Sequence, residues 1–153
     1  MNRQMSLCQW VVWMVAIGIA VVEASGGAMP IQGPVLQQSS QGLRITVSLG
    51  FAPQADDLPP AALRVLDQVG RMLKDDVLYH RVIAIVGHAN DSEYVDVNWE
   101  LSARRALVVQ RYLVEHHGIA ATRLLVVAKG EGEPLDRENP RAVLNRRIEF
   151  LSQ

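Results

Sequence analysis

Apolar and polar positions along the chain follow the periods of strands and helices. Residues 44–49, RITVSL, alternate polar and apolar side chains and include β-branched residues, which predicts a strand. Short apolar runs bounded by polar or turn residues predict three more strands, at residues 81–86, 124–128 and 147–151. The pattern therefore predicts four strands, separated by segments with a different period.

Two of those segments have the three- and four-residue spacing of a helix with one buried face. The first follows Pro59 and Pro60, and proline is tolerated in the first turn of a helix. Its predicted inward residues are Leu63, Leu66, Val69 and Leu73. The second spans residues 101–117, with Asn98 as the predicted N-cap and Gly118 just past the C-terminus. Its predicted inward residues are Leu101, Val108, Val109, Tyr112 and Leu113. The order βαβαββ predicts an α+β fold, with two helices packed on a small mixed sheet.

An apolar segment precedes this folded part. Residues 10–22 carry no charge, Arg3 precedes them, and the next basic residue is Arg44, which predicts that the chain after the segment lies outside the inner membrane. The run is shorter than the roughly 20 residues of a membrane span and suits the core of a signal peptide. We interpret residues 1–28 as a signal peptide cleaved after Ala24 or Ala28, or as a retained membrane anchor.

Two segments lack a regular period. Residues 29–42 are rich in Gly, Gln, Ser and Pro, which predicts a flexible tether and places the folded domain at residues 43–153. Residues 129–145 join the last two predicted strands and carry many charges. A connection of this length is often functional or mobile, although the charges also suit a simply solvated loop.

Composition excludes several classes of function. The 153 residues suffice for one domain, and a hydrophobic content of 49% excludes a disordered chain. The net charge is −1 without a basic stripe, so nucleic acid is not a predicted partner. Cys8, the single cysteine, forms no intrachain disulfide and precedes the apolar run rather than following it, which argues against lipidation. No zinc, redox or phosphate-loop motif is present, so we predict no metal, no cofactor and no enzymatic activity.

One ordered set of motifs carries a resemblance to a known family. Gly-His at 87–88 ends a predicted strand and NWELSARRA at 98–106 opens a helix. GIAATRL at 118–124, GEGEP at 130–134 and NRR at 145–147 follow in order. Together they resemble the OmpA-like C-terminal domain, a family that includes peptidoglycan-associated lipoproteins and the wall anchors of flagellar stators. The resemblance covers residues 43–153. It implies the βαβαββ fold and noncovalent binding of peptidoglycan in the periplasm, between the inner and outer membranes of a Gram-negative-type envelope.

The resemblance also implies a site for the diaminopimelate residue of the peptidoglycan stem peptide. The free end of diaminopimelate carries an ammonium and a carboxylate, which need an acceptor and a guanidinium fork. Arg105 matches the family's fork, with a solvent-facing helix residue as the alternative. Asn90 stands where the family has an Asp acceptor. A neutral acceptor in that place weakens binding by about 1–3 kcal/mol, or about 5- to 150-fold. Asp91, the next residue, is a candidate replacement.

Further positions match the family's site. Asn98 contacts the ligand or only caps its helix, and Leu101 forms the floor of the pocket or belongs to the core. Arg147, with Arg146 as the weaker candidate, closes the site from the last strand or forms a surface ion pair. Gln54 falls where the family often has a polar contact.

A second function of another class competes with wall binding. In this alternative the domain is a scaffold that binds a protein partner in a larger membrane or secretion assembly of the envelope, and wall binding has been lost at Asn90. A retained N-terminal anchor in the membrane favours this alternative.

Overall fold

Five strands and two long helices make up the described part of the computed structural model, residues 33–39, 42–90 and 95–152. The elements are β1 (Val35–Ser39), β2 (Gly42–Val47), α1 (Pro60–Met72), β3 (Ile83–His88), α2 (Val95–His117), β4 (Leu124–Gly130) and β5 (Ile148–Ser152), with short 3-10 turns at Ala121–Arg123 and Val143–Asn145. Within these ranges no helix combines the length and apolar character that a membrane crossing requires. The predicted signal peptide or anchor and Asp91 lie outside the described residues.

The strands form one mixed sheet in the order β1-β2-β5-β3-β4. β3 and β4 are parallel, and every other neighbouring pair is antiparallel. Ile45, Phe150 and Ile85 are neighbours by register and therefore share one face of the sheet. Buried apolar residues of α1 and of the second half of α2 join that face in a single apolar core. This confirms the predicted α+β fold, in which two helices pack on a small mixed sheet.

β1 lies within the segment that the sequence predicts to be a tether. The prediction is wrong for residues 35–39, which pair with β2 from Val35–Thr46 to Ser39–Gly42. All five side chains of β1 are exposed. A strand held by its backbone ladder, without a buried face, leaves no alternation in the sequence, which explains why the pattern missed it.

α1 begins at Pro60, close to the predicted start, and its buried face differs from the prediction at one position. Leu63 is only half-buried, whereas Val65 packs in the core. Val65 lies four residues before Val69, on the same helical stripe, and Leu63 lies off that stripe. The remaining buried positions of the stripe are Ala62, Leu66 and Leu73.

α2 begins at Val95, three residues before its predicted N-cap. Asn98 therefore lies inside the first turn, and the prediction that it caps the helix is wrong. The predicted C-terminus is confirmed, since Gly118 takes a left-handed φ of +65° and its N–H donates to the carbonyl of Val114 at 3.1 Å. Of the predicted inward residues, Leu101, Val109 and Leu113 are fully buried, and Val108 and Tyr112 are half-buried.

Candidate functional site at the strand ends under helix α2

The C-terminal ends of β3 and β4 meet at one edge of the sheet, beside the start of β5. The N–H of His88 donates to the carbonyl of Arg147 at 3.0 Å, and the N–H of Ala89 donates to the carbonyl of Gly130 at 2.8 Å. Polar residues that immediately follow these strands are thereby collected at one place. In open sheets such an edge is a common position for ligand sites.

Two glycines let the first half of α2 rest directly on this edge. A Cβ at Gly87 would lie 2.1 Å from the carbonyl oxygen of Ser102, and one at Gly130 would lie 3.4 Å from the backbone of Trp99. Ser102 ties the two layers together, because its hydroxyl accepts from the N–H of Gly130 at 3.1 Å and donates to the carbonyl of Trp99 at 2.8 Å. The face of α2 that carries Asn98, Leu101 and Arg105 is held rigidly by these contacts.

Arg105 is buried on that face, with 1% of its surface exposed. Its Nε donates to the carbonyl of Ala55 and its Nη2 to the carbonyl of Ala52, both at 2.8 Å. The guanidinium carbon lies 5.1 Å from the centre of the Phe51 ring, within the range of a cation–π interaction. The alternative in which Arg105 is a solvent-facing residue is therefore wrong. Arg104 takes that role instead and pairs with Glu100 at 2.6 Å.

The two carbonyls held by Arg105 flank Gln54. Gln54 is exposed and adopts a φ of +59°, a left-handed conformation that a side-chain-bearing residue seldom takes. The connection between β2 and α1 thus runs over the guanidinium as a fixed turn. The structure brings Gln54 and Arg105, which are far apart in sequence, into one unit.

Asn90 lies just beyond β3 and is 2% exposed. Its Nδ2 donates to the carbonyl of Arg141 in the β4–β5 connection at 2.8 Å. A carboxylate has no proton to donate, so an Asp at this position cannot make this bond. The amide at residue 90 therefore fastens the loop in a way that the acidic residue expected from the resemblance would not.

Asn98 and Leu101 lie below the surface of the first turns of α2. Asn98 is fully buried, and its Nδ2 donates to Oε2 of Glu131 at 2.5 Å. Leu101 is also fully buried but lies outside the main apolar core. Asn98 and Arg105 are seven residues apart and share one helix face, with Leu101 between them. The assignment of Leu101 as the floor of a pocket stays a prediction.

Arg147 is a buried ion-pair partner, so its prediction as a surface pair is wrong. Its Nε donates to Oε1 of Glu149 at 2.7 Å, and both residues are at most 5% exposed. Its Nη2 donates to the carbonyl of Glu133 at 3.0 Å and its Nη1 to that of Asn145 at 3.4 Å. Arg147 thereby holds the β4–β5 connection against the last strand. Arg146 is half-buried and makes none of these contacts.

Glu149 has a strongly perturbed acidity. Burial alone would raise its pKa, but the imidazole of His88, 3.7 Å away, and the guanidinium of Arg147 outweigh burial and lower the pKa to about 2. The carboxylate is therefore ionised under all physiological conditions and neutralises Arg147. Sequence reasoning missed Glu149, although an acidic residue inside the apolar strand IEFLS was a usable signal.

Asn145 is a second residue that sequence reasoning did not assign to a role. Its Oδ1 accepts from the N–H of Asp136 at 3.0 Å, and its Nδ2 donates to the carbonyls of Asp136, Asn139 and Pro140 at 3.1–3.2 Å. The long charged connection is therefore organised around one buried amide. Its signal in the sequence was limited to its place in the motif NRR at 145–147.

The predicted site residues thus fall into two groups joined by α2. Asn90, Asn98 and Arg147 each donate to the β4–β5 connection. Arg105 and Gln54 form the unit at the β2–α1 connection. Within the described ranges no three His, Cys, Asp or Glu side chains are grouped as metal ligands. The arrangement gathers hydrogen-bonding side chains around one face of α2, and their donors hold the two connections that border this face.

Known proteins have similar sequences and folds. The pattern of the OmpA family matches residues 50–147. A peptidoglycan-associated lipoprotein of Pseudomonas putida is 34% identical over 110 residues, which cover 71% of this chain and 64% of the relative. The chain therefore spans somewhat less than two thirds of that curated relative.

Two solved structures show the same fold. A putative MotB-like protein from Desulfovibrio vulgaris superposes with a TM-score of 0.66 at 30% identity, covering 79% of this chain and 81% of that one. The cell wall anchor of the T6SS from Pseudomonas aeruginosa superposes with a TM-score of 0.64 at 20% identity, covering 78% of this chain and 88% of that one.

Proposed function

The chain belongs to the OmpA family, and from this premise we propose that it binds peptidoglycan noncovalently in the periplasm, through the diaminopimelate of the stem peptide. The observation that carries the proposal is the buried guanidinium of Arg105 on the site face of α2. A positive charge removed from water is retained where it is matched by fixed acceptors or by an anionic group. The match of residues 50–147 to the family and the similarity to a peptidoglycan-associated lipoprotein support the same function.

In this proposal Arg105 serves the carboxylate of diaminopimelate and fixes the turn that presents Gln54. Asn90 stands at the position of the ammonium acceptor, and its carbonyl oxygen is a neutral substitute for a carboxylate. Asp91 is proposed as a supplementary acceptor. Asn98 and Leu101 line the helix side, and Arg147 positions the β4–β5 connection that closes the site. Every step is binding, and no covalent chemistry is required.

One observation favours a second candidate function. The Nδ2 group of Asn90 is used to hold the carbonyl of Arg141, so residue 90 has a structural use that an ammonium acceptor does not need. In the second candidate, the domain is a scaffold for a protein partner in an envelope assembly, and the wall site has lost its affinity. The T6SS wall anchor shows that the same fold occurs in a secretion machine.

Co-sedimentation of the full chain with purified sacculi separates the two candidates. The tested variants are Arg105→Lys, which keeps the charge but removes the fork, and Arg104→Ala, the matched control at the neighbouring exposed position. Wall binding predicts that the native chain and Arg104→Ala pellet with sacculi and that Arg105→Lys pellets much less. A thermal melt of each variant shows whether the domain remains folded, and a run without sacculi corrects for self-association.

Asn90→Asp provides the converse test. If the native chain stays in the supernatant while Asn90→Asp pellets, wall binding by the native chain is refuted and the scaffold function is supported. The variant loses the bond to Arg141 and places a carboxylate oxygen near that carbonyl, which costs about 1–3 kcal/mol of stability. Its binding is therefore compared at a temperature well below its own melting point.

A further inference from the structure

Trp99 is an exposed aromatic residue at the margin of the candidate site. Its exposed fraction is 62%, and it is the one tryptophan among residues 33–39, 42–90 and 95–152. The two phenylalanines of the chain are buried in the core. A large indole face left in water is an unusual use of this residue, because burial of tryptophan is strongly favourable.

The backbone of Trp99 is fixed against the strand ends. Its carbonyl accepts from the hydroxyl of Ser102, and its Cα lies 3.4 Å from the position that a Cβ on Gly130 would occupy. The carbonyl of Gly130 in turn accepts from Ala89, the residue before Asn90. The indole therefore extends from a rigid base that is continuous with the candidate site.

A carboxylate lies beside this base. Asn98, the preceding residue, donates to the carboxylate of Glu131, which places that carboxylate at the same end of α2. A flat aromatic face next to a carboxylate suits a sugar, because the negative face of the ring attracts C–H groups while the carboxylate accepts from hydroxyls. The glycan strand of peptidoglycan carries the stem peptide, so a sugar lies within reach whenever the peptide is bound.

We propose that Trp99 stacks on a sugar ring of the glycan strand and forms a glycan subsite beside the stem-peptide site. The inference rests on the proposed function, since the stem peptide brings the sugar to the ring. The carboxylate of Glu131 accepts from the hydroxyls of the sugar, and the buried amide of Asn98 holds that carboxylate in place. The chain then binds both parts of peptidoglycan, the peptide at Arg105 and the glycan at Trp99.

The test compares two soluble probes on the full chain, a stem peptide with free diaminopimelate and the same peptide attached to its disaccharide. Calorimetry gives the dissociation constant of each probe for the native chain, Trp99→Ala and Trp99→Phe. We expect Trp99→Ala to weaken binding of the disaccharide-peptide about 3- to 10-fold and to leave the free peptide unchanged. Trp99→Phe should recover part of the loss. Leu107→Ala, which alters another exposed apolar side chain of α2, is the matched control and should change neither constant.

Fluorescence gives a direct reading of the ring. In a full chain that carries Trp10→Phe and Trp13→Phe, Trp99 is the sole tryptophan. Its emission should shift when the disaccharide-peptide binds and remain unchanged with the free peptide.

The outcomes separate the two proposals. If both probes bind the native chain and Trp99→Ala leaves both constants unchanged, the glycan subsite is refuted and wall binding stands. Equal weakening of both probes by Trp99→Ala also refutes the subsite. If neither probe binds the native chain, wall binding itself is refuted, and the subsite with it.

Discussion

Replacing Glu149 by Gln should destabilise the fold by an amount that depends on pH. Glutamine has the shape of a protonated carboxyl group and retains an acceptor for Arg147, so the change removes the charge and little else. The carboxyl has a pKa of about 2 in the folded chain, against an ordinary value of 4.5. The difference corresponds to about 3 kcal/mol of stability at pH 7, the scale expected when one partner of a buried ion pair is lost.

The direction in which stability changes with pH follows from the direction of the pKa shift of Glu149. Because the folded pKa lies below the unfolded value, the contribution is complete above about pH 5 and is lost as the pH falls towards 2. About 2 of the roughly 3 kcal/mol should be gone at pH 3. The stability gap between the native chain and Glu149→Gln should therefore narrow from about 3 kcal/mol at pH 7 to about 1 kcal/mol at pH 3.

Urea unfolding of the full chain at both pH values, followed by far-UV circular dichroism, measures this gap. Glu133→Gln is the matched control, because Glu133 pairs with Lys129 at 2.8 Å on an exposed surface. The difference in unfolding free energy between the native chain and Glu133→Gln should be about 0.5 kcal/mol or less at pH 7. An unchanged gap for Glu149→Gln between pH 7 and pH 3 would refute the low pKa and the role of Arg147 and His88 in producing it.

Three further substitutions test the packing that holds the site. Gly87→Ala places a Cβ against the carbonyl of Ser102 and should cost about 3 kcal/mol in urea unfolding, whereas Gly33→Ala, with 3.7 Å of room, should change stability by about 0.5 kcal/mol or less. Asn145→Ala removes the amide that organises the β4–β5 connection and should cost about 2–3 kcal/mol, with faster hydrogen exchange at residues 136–141. Gly118→Ala forces a side chain into a left-handed conformation and should lower stability by about 1 kcal/mol in thermal melts.

Each of these three predictions would be contradicted by a specific result. Equal stability changes for Gly87→Ala and Gly33→Ala would show that α2 does not rest on the strand end as closely as described. Unchanged exchange at residues 136–141 in Asn145→Ala would show that backbone bonds alone order the connection. A neutral Gly118→Ala would mean that α2 ends in another conformation.

Helices and strands with one buried face were predictable because their apolar side chains recur at the period of the element. Strands β2, β3, β4 and β5 and the C-terminus of α2 were predicted within a few residues, since burial of one face requires a regular spacing of apolar residues. β1 was missed for the corresponding reason, as its exposed side chains carry no period and its stability comes from backbone pairing. The start of α2 was misplaced because a polar residue before an apolar run is an N-cap signal even when its amide is used elsewhere.

The same distinction between local pattern and distant contact applies to the candidate site. The order of motifs along the chain identified the residues to consider, including Arg105 and Asn90, because residue types at set intervals do not depend on knowing their partners. The partners themselves could not be predicted. Arg105 with the carbonyls of Ala52 and Ala55, and Arg147 with Glu149, are contacts created by the packing of α2 and the pairing of strands.

The sequence by itself thus determined the fold class, the family and the chemical types present at the site. Only the tertiary structure decided that Arg105 is buried rather than exposed, that Asn90 donates to the β4–β5 connection, and that Trp99 faces water. The physical reason is the separation along the sequence over which each effect acts. Periodicity and capping act between near neighbours, whereas burial of a charge or exposure of a ring depends on segments 50 residues away, such as the β2–α1 turn over Arg105.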